Sequence, residues 1–193
     1  MFRSALVALL VAVPGAAMAG EWTDFYVKLY GGSTAEDSQF AGVQEWDLES
    51  GHFLGAAVGL STPIPGLALE FDLTRSRAFY VGEQNVLEAT LAMANVVYSL
   101  PVNETFNVYG GAGFGYAFVL DDCITSDEYD SRGSAAAGQV FVGAGVTVVE
   151  ALTFFGELRY QTALGRVDAT DDHGTYGVDY ARTAVLLGIK INL

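Results

Sequence analysis

Little of this sequence is charged, and very little of the charge is positive. Asp, Glu, Lys and Arg make up 17% of 193 residues, against the roughly 25% usual in soluble domains. Nine basic residues face 23 acidic ones, a formal charge of −14. That balance leaves no basic stripe for a polyphosphate backbone and argues against nucleic acid or anionic lipid headgroups as direct partners. Cysteine occurs once, at Cys123, so no intramolecular disulfide can form; the residue stands in an acidic polar stretch as an incidental loop thiol. Proline occurs four times and histidine twice. No apolar run reaches the roughly 18 residues that a transmembrane helix requires. Nor does any segment repeat apolar residues at helical spacing over a helix length. What remains is a chain that is 51% hydrophobic, holds 23 glycines, and is patterned for neither helices nor a charged surface.

The N-terminus reads as an export signal. Arg3 supplies a short basic region, and "ALVALLVAV" (5–13) is apolar but too short to span a bilayer. Pro14 and Gly15 break that run, and Ala17 and Ala19 place small residues where a signal peptidase needs them. Residues 1–19 are therefore expected to be a signal peptide cleaved before Gly20, with 20–193 as one domain. Losing Arg3 leaves eight basic against 23 acidic groups, or −15.

Alternating or Gly/aromatic segments recur at 24–32, 52–61, 67–76, 89–100, 106–120, 138–149, 152–165 and 180–193. Each is about ten residues or longer, enough to cross a membrane when tilted. The phase within 89–100 is ambiguous. Leu87, Ala89, Leu91 and Met93 suit one face while Val96, Tyr98 and Leu100 suit the other, and a bulge near Ala94 would reconcile them. Tight links at 62–66, 101–105 and 150–151 alternate with long polar ones at 33–51, 77–88, 121–136 and 166–179. Pro63, Pro65 and Pro101 all fall in tight links, where a missing N–H breaks no ladder. Short turns on one side and long loops on the other are the organisation of an outer-membrane barrel. The expected fold is all-β: an eight-stranded antiparallel up-and-down transmembrane β-barrel.

In such a barrel the faces are inverted. "LALEFDL" (67–73) then turns Leu67, Leu69, Phe71 and Leu73 to lipid, and Glu70 and Asp72 to the lumen. Applied to the first, seventh and last strands, the same rule collects Lys28, Glu70, Asp72, Glu157, Arg159 and Lys190 inside. Eight strands leave a lumen that side chains fill, so these opposite charges are expected to pair as a structural network. The other assignment, a soluble lipocalin-like barrel, puts the apolar faces inside and Lys28, Glu157 and Lys190 in water; it gives no reason for the alternating loop lengths. Glu157 and Arg159 could also be read as an acid/base pair.

The Gly-rich "YGGAGFGYAF" strand, the "ELRY" strand and a final strand ending at the C-terminus resemble the small eight-stranded outer-membrane barrels of the outer-membrane protein A and opacity-protein type. The resemblance covers nearly all of 20–193. It implies a Gram-negative outer membrane, contact with outer-membrane lipids and lipopolysaccharide, and passage through the barrel-assembly machinery. That machinery reads a final Phe or Trp in the family, whereas this chain ends in Leu193. The family implies no single activity. The expected role is structural or surface-interacting and non-catalytic, with a surface ligand engaged through the extracellular loops. The alternative is a barrel enzyme acting on lipid A. Lipid A deacylases of this type use a Ser and a His two residues apart near the outer rim, plus a carboxylate; "HGT" puts Thr175 after His173 and is expected to fall in a loop rather than on a strand, so the Ser/His pair is missing. The glycines at 110–115 and 143–145 match no nucleotide fingerprint, and no cofactor is expected. The acidic stretches 121–130 and 168–179 read as solvated loops. In the second, Asp168, Thr170, Asp172 and Asp179 loosely follow calcium-loop spacing, but the turn glycine is displaced by one position, to Gly174. The sharper reading of these carboxylates is a divalent ion bridging them to lipopolysaccharide phosphates.

Overall fold

The computed structural model describes residues 24–36, 39–41, 44–46, 51–79, 85–123, 131–165, 167–171, 174–178 and 180–193. The expected signal peptide lies outside them. Twelve strands follow in chain order: β1 (Phe25–Glu36), β2 (Gln39–Ala41), β3 (Gln44–Trp46), β4 (Gly51–Ser61), β5 (Leu67–Phe79), β6 (Asn85–Pro101), β7 (Phe106–Cys123), β8 (Ser131–Val149), β9 (Leu152–Ala163), β10 (Val167–Asp171), β11 (Gly174–Val178) and β12 (Ala181–Asn192). Eight of them, β1, β4–β9 and β12, form a closed antiparallel ring, shut by β8 against β9 and β1 against β12. Following partners from Tyr30 through β4, β5, β6 and β7 reaches Ala135 on β8, while going the other way through β12 and β9 reaches Gly145. The ring therefore closes ten residues out of register, the stagger that tilts its strands.

Alternation decides the faces. On β5, Leu69 and Phe71 are 44% and 55% exposed while Glu70 and Asp72 are 3% and 0%. Large apolar side chains likewise stand on the outer wall of every ring strand, among them Leu29, Leu54, Val96, Phe114, Val142, Leu158 and Leu187. Water would disfavour such a wall and hydrocarbon accepts it.

The links between strands are tied locally. In 62–66 the Thr62 hydroxyl donates to Leu67 O at 3.0 Å, and Gly66 takes a left-handed φ of +80° that a side chain would strain. At the next link the Asn103 carboxamide oxygen accepts from Thr105 N and Phe106 N. At the opposite end the structure corrects the expected loop lengths. β5 and β6 run to Phe79 and from Asn85, and β7 and β8 run to Cys123 and from Ser131, so much of 77–88 and 121–136 is strand. These polar residues still satisfy each other's backbone groups by continuing the ladders. β10 and β11 form a hairpin within 166–179, joined to β8 through Thr170 and Arg132 and to β2 through Val178 and Ala41. Pro101 closes β6, opposite Asn107.

No bulge interrupts 89–100. Its register is continuous with both neighbours, and the described register shift lies between Thr147 and Val149 of β8. Ala89, Leu91, Met93, Asn95 and Val97 all point inward. The phase is ambiguous in sequence because the inward face changes character with height. Toward the long-loop end it is apolar, packing Leu91 and Met93 against Ala117, Val119, Ala137 and Tyr180.

The outer wall generates a depth-dependent test. Leu187, 72% exposed at mid-strand, should cost about 2–4 kcal/mol of stability when changed to Arg, whereas Leu193→Arg at the strand end should cost about 0–1. Equilibrium unfolding in urea in lipid vesicles measures both; equal costs would contradict the assignment of the membrane midplane.

Candidate functional site

The lumen holds the chemistry. At its short-turn end Lys28 of β1 and Glu70 of β5 pair at 2.7 Å, with side chains 5% and 0% exposed. The Tyr26 hydroxyl donates to Glu70 at 3.1 Å. Lys28 Nζ also lies 5.0 Å from the Tyr109 ring centroid. Lys190, opposite Lys28 in the β1–β12 register, forms no ion pair among the described residues and instead sits 4.3 Å over the Tyr26 ring. Room for the two tyrosine rings comes from the next strand: a Cβ on Gly59 would meet Tyr26 at 2.0 Å, and one on Gly55 would meet Tyr30 at 2.3 Å.

Midway along the barrel, Arg159 of β9 is the hub. Its Nε donates to Glu157 at 2.7 Å, and its Nη1 donates to both oxygens of Asp72 at 3.1 and 3.3 Å and to the Tyr30 hydroxyl at 3.2 Å. Tyr30 in turn donates to Asp72, and Tyr109 to Glu157 at 3.0 Å. The guanidinium also lies 5.1 Å from the ring centroids of both Tyr30 and Phe141. All three charged side chains are buried. Buried ions are expensive one by one, and pairing with full hydrogen bonding is what makes them tolerable.

Sequence reasoning missed a second system of lumen groups. Arg182 of β12 donates to Gln161, Gln161 to Gln139, Gln139 to Asn95, and Asn95 to Glu70, at 2.7, 2.7, 2.6 and 3.4 Å. The chain runs with one polarity from a guanidinium to a carboxylate, so each bond strengthens the next. Arg182 also reaches Thr74 at 3.3 Å. A signal for Arg182 was present, since it shares the parity of Lys190 and Asn192. The amides carry no charge and give no such cue.

These layers divide the lumen. On the short-turn side a cavity of about 310 Å³ is lined by Tyr26, Lys28, Asn107, Tyr109, Phe155 and Lys190. Beyond it, Arg159, Arg182, Gln161, Phe53 and Leu186 are all less than 2% exposed. Lys28, Glu70, Asp72, Glu157 and Arg159 are paired with one another, whereas Lys190 rests on the Tyr26 ring and Arg182 on neutral side chains.

At the long-loop rim, Ser33 and His52 face each other across β1 and β4, both exposed. The Ser33 hydroxyl donates to Gly51 O at 3.3 Å. The side chains of Thr175 and Cys123, the residues His173, Asp172 and Asp179, and most of the acidic stretch 121–130 lie outside the description. Among the described residues no group of three His, Cys, Asp or Glu converges as a metal site.

A closed ring with an apolar outer wall and an ionic interior defines a transmembrane β-barrel. The family model for the outer membrane protein beta-barrel domain matches residues 4–187, and the chain belongs to that family. It is an outer-membrane protein. Its fold is similar to that of Neisserial surface protein A (TM-score 0.65, 18% identity, covering 86% of this chain and 96% of that one). It is also similar to OprG of Pseudomonas aeruginosa (0.57, 15%, 88% and 95%) and to the outer-membrane protease OmpT of Escherichia coli (0.53, 10%, 90% and 98%). Curated proteins give no significant match.

The hub can be tested by removal. Arg159→Ala should cost about 3–5 kcal/mol, because it leaves two buried carboxylates unpaired. Combining it with Asp72→Asn or Glu157→Gln should recover part of the loss. Double-mutant cycles in urea would report zero coupling for both pairs if Arg159 faced solvent.

Proposed function

We propose that this protein is a non-catalytic barrel that serves the outer membrane structurally and through its extracellular surface. The observation that carries this reading is the engagement of Arg159 by Asp72 and Glu157 at the centre of the lumen. A charge committed on two sides is a brace, not a proton carrier, and the lumen beside it is filled with side chains. The strands that continue past the apolar wall, together with β10 and β11, supply a surface on the loop side for a ligand or cell contact. Its standing partners are outer-membrane lipid, lipopolysaccharide and, during insertion, the barrel-assembly machinery; the alternation that such machinery requires is kept up to Leu193. The likeness to OmpT is one of fold, and supports no peptidase activity here.

Purified protein in planar bilayers should show no large, stable single-channel conductance, because the ionic layer leaves no continuous aqueous path. Replacing Arg159, Asp72 and Glu157 together by Ala should introduce conductance if that layer is the seal. Large, stable channels from the wild-type protein, or turnover of lipid A by it, would overturn the reading.

A further inference from the structure

Basic residues are scarce in this chain, and their placement is selective. Lys28, Arg159, Arg182 and Lys190 all belong to the lumen. Among the described outward-facing side chains only Arg75 and Arg77 are basic, two residues apart on the same face of β5. They stand directly above Leu69, Phe71 and Leu73 of the apolar wall, at the long-loop end. An arginine facing hydrocarbon is costly, and that cost falls to near zero at the interface. Their height is therefore that of the outer-leaflet headgroups.

Glu88 of β6 holds the two guanidinium groups side by side. It is the register partner of Arg77, while Arg75 pairs with Thr90 and so reaches toward the loop end to meet it. Arg77 donates from Nε to Glu88 Oε1 at 2.8 Å, with Nη2 2.6 Å from the same oxygen. Arg75 takes the other oxygen, Oε2. The arginine side chains stay 63% and 59% exposed while that of Glu88 is 11% exposed. One carboxylate against two guanidinium groups leaves a net positive charge presented outward. Beside it, a depression of about 640 Å³ on the outer wall is lined by Arg75, Glu88, Thr90, Phe118, Leu120 and Ser134. Phe118 is 52% exposed. The depression exists because outward positions 134, 136 and 138 of β8 carry only Ser, Ala and Gly beside the aromatic face of β7.

We propose that Arg75 and Arg77 form a binding site for the phosphate of a phosphorylated glycolipid of the outer leaflet, the lipid A part of lipopolysaccharide, with an acyl chain lying against Phe118. Arginine forks match phosphate oxygens, and charge-assisted bonds of this kind are the strong ones. The site gives a strongly acidic protein a point of attraction in an anionic leaflet. It differs from the expected divalent bridge through the acidic loops. It depends on the placement in the outer membrane and is independent of whether the lumen is closed.

The experiment is a titration of the full barrel, folded in detergent, followed by native mass spectrometry. The probes are phosphorylated lipid A, the same lipid dephosphorylated, phosphatidylglycerol and inorganic phosphate, all without divalent ions. Wild-type protein should prefer phosphorylated lipid A, and Arg75→Gln/Arg77→Gln should weaken that binding by about tenfold or more. Glu88→Gln keeps both cations and should bind at least as tightly as wild type; heat modifiability on electrophoresis confirms that each variant is folded. Unchanged binding by the arginine variant would overturn the site. So would equal binding of the dephosphorylated lipid, or loss of binding in Glu88→Gln. Saturation by inorganic phosphate or phosphatidylglycerol at the same concentration as lipid A would overturn the glycolipid as its occupant.

Discussion

The structure depends on one buried guanidinium. Arg159 stands where strands from opposite sides of the ring converge, bonded to Glu157 on its own strand and to Asp72 on β5. The Tyr30 and Tyr109 hydroxyls donate to the same two carboxylates, Asp72 and Glu157, and so extend the network to the aromatic residues of the lumen. A barrel in lipid has no hydrophobic collapse to hold its wall together, because the wall is apolar on the outside. The closed interstrand hydrogen-bond ladder holds the wall, and cross-lumen ion pairs and aromatic contacts brace it from inside. Tyr30 packs edge-on against Phe155 at 6.2 Å, and Tyr109 against Phe155 at 6.3 Å.

The interior is graded along its axis. The short-turn end opens into a polar cavity with Lys28 and Lys190 at its wall, the middle is ionic, and the long-loop end is apolar around Leu91 and Met93. Two consequences follow. Any solute entering from the turn side meets the Arg159 layer, and any apolar group entering from the loop side meets a packed cluster. The outer surface has its own gradient, from an apolar wall to the Arg75–Arg77–Glu88 group at the rim.

Much of the architecture was legible in the sequence. Alternation in 67–73 and 187–193, tight prolyl links and eight segments of spanning length specify a membrane barrel and its faces without further information. The strand limits were not legible. Polar residues such as those of 131–136 look like loop, yet once the neighbouring chain offers a ladder their backbone groups continue it. The phase of 89–100 was obscured for a different reason: the inside of this barrel is itself apolar at that height, so hydropathy stops distinguishing inside from outside. The charged lumen members were readable by parity. The amides of Asn95, Gln139 and Gln161 were not, since neutral side chains become a network only when register brings three strands together. Arg75 and Arg77 needed the structure, because only the β5–β6 pairing shows that Glu88 unites them.

Dipolar-recoupling solid-state NMR on the protein in lipid bilayers tests the central claim most directly. With arginine labelled in nitrogen and aspartate and glutamate in carbon, magnetisation from the Arg159 guanidinium should transfer to the carboxyl carbons of both Asp72 and Glu157, with no rapid exchange with water. Transfer to neither carboxylate, together with strong water contact at Arg159, would place that side chain outside the lumen and contradict the account.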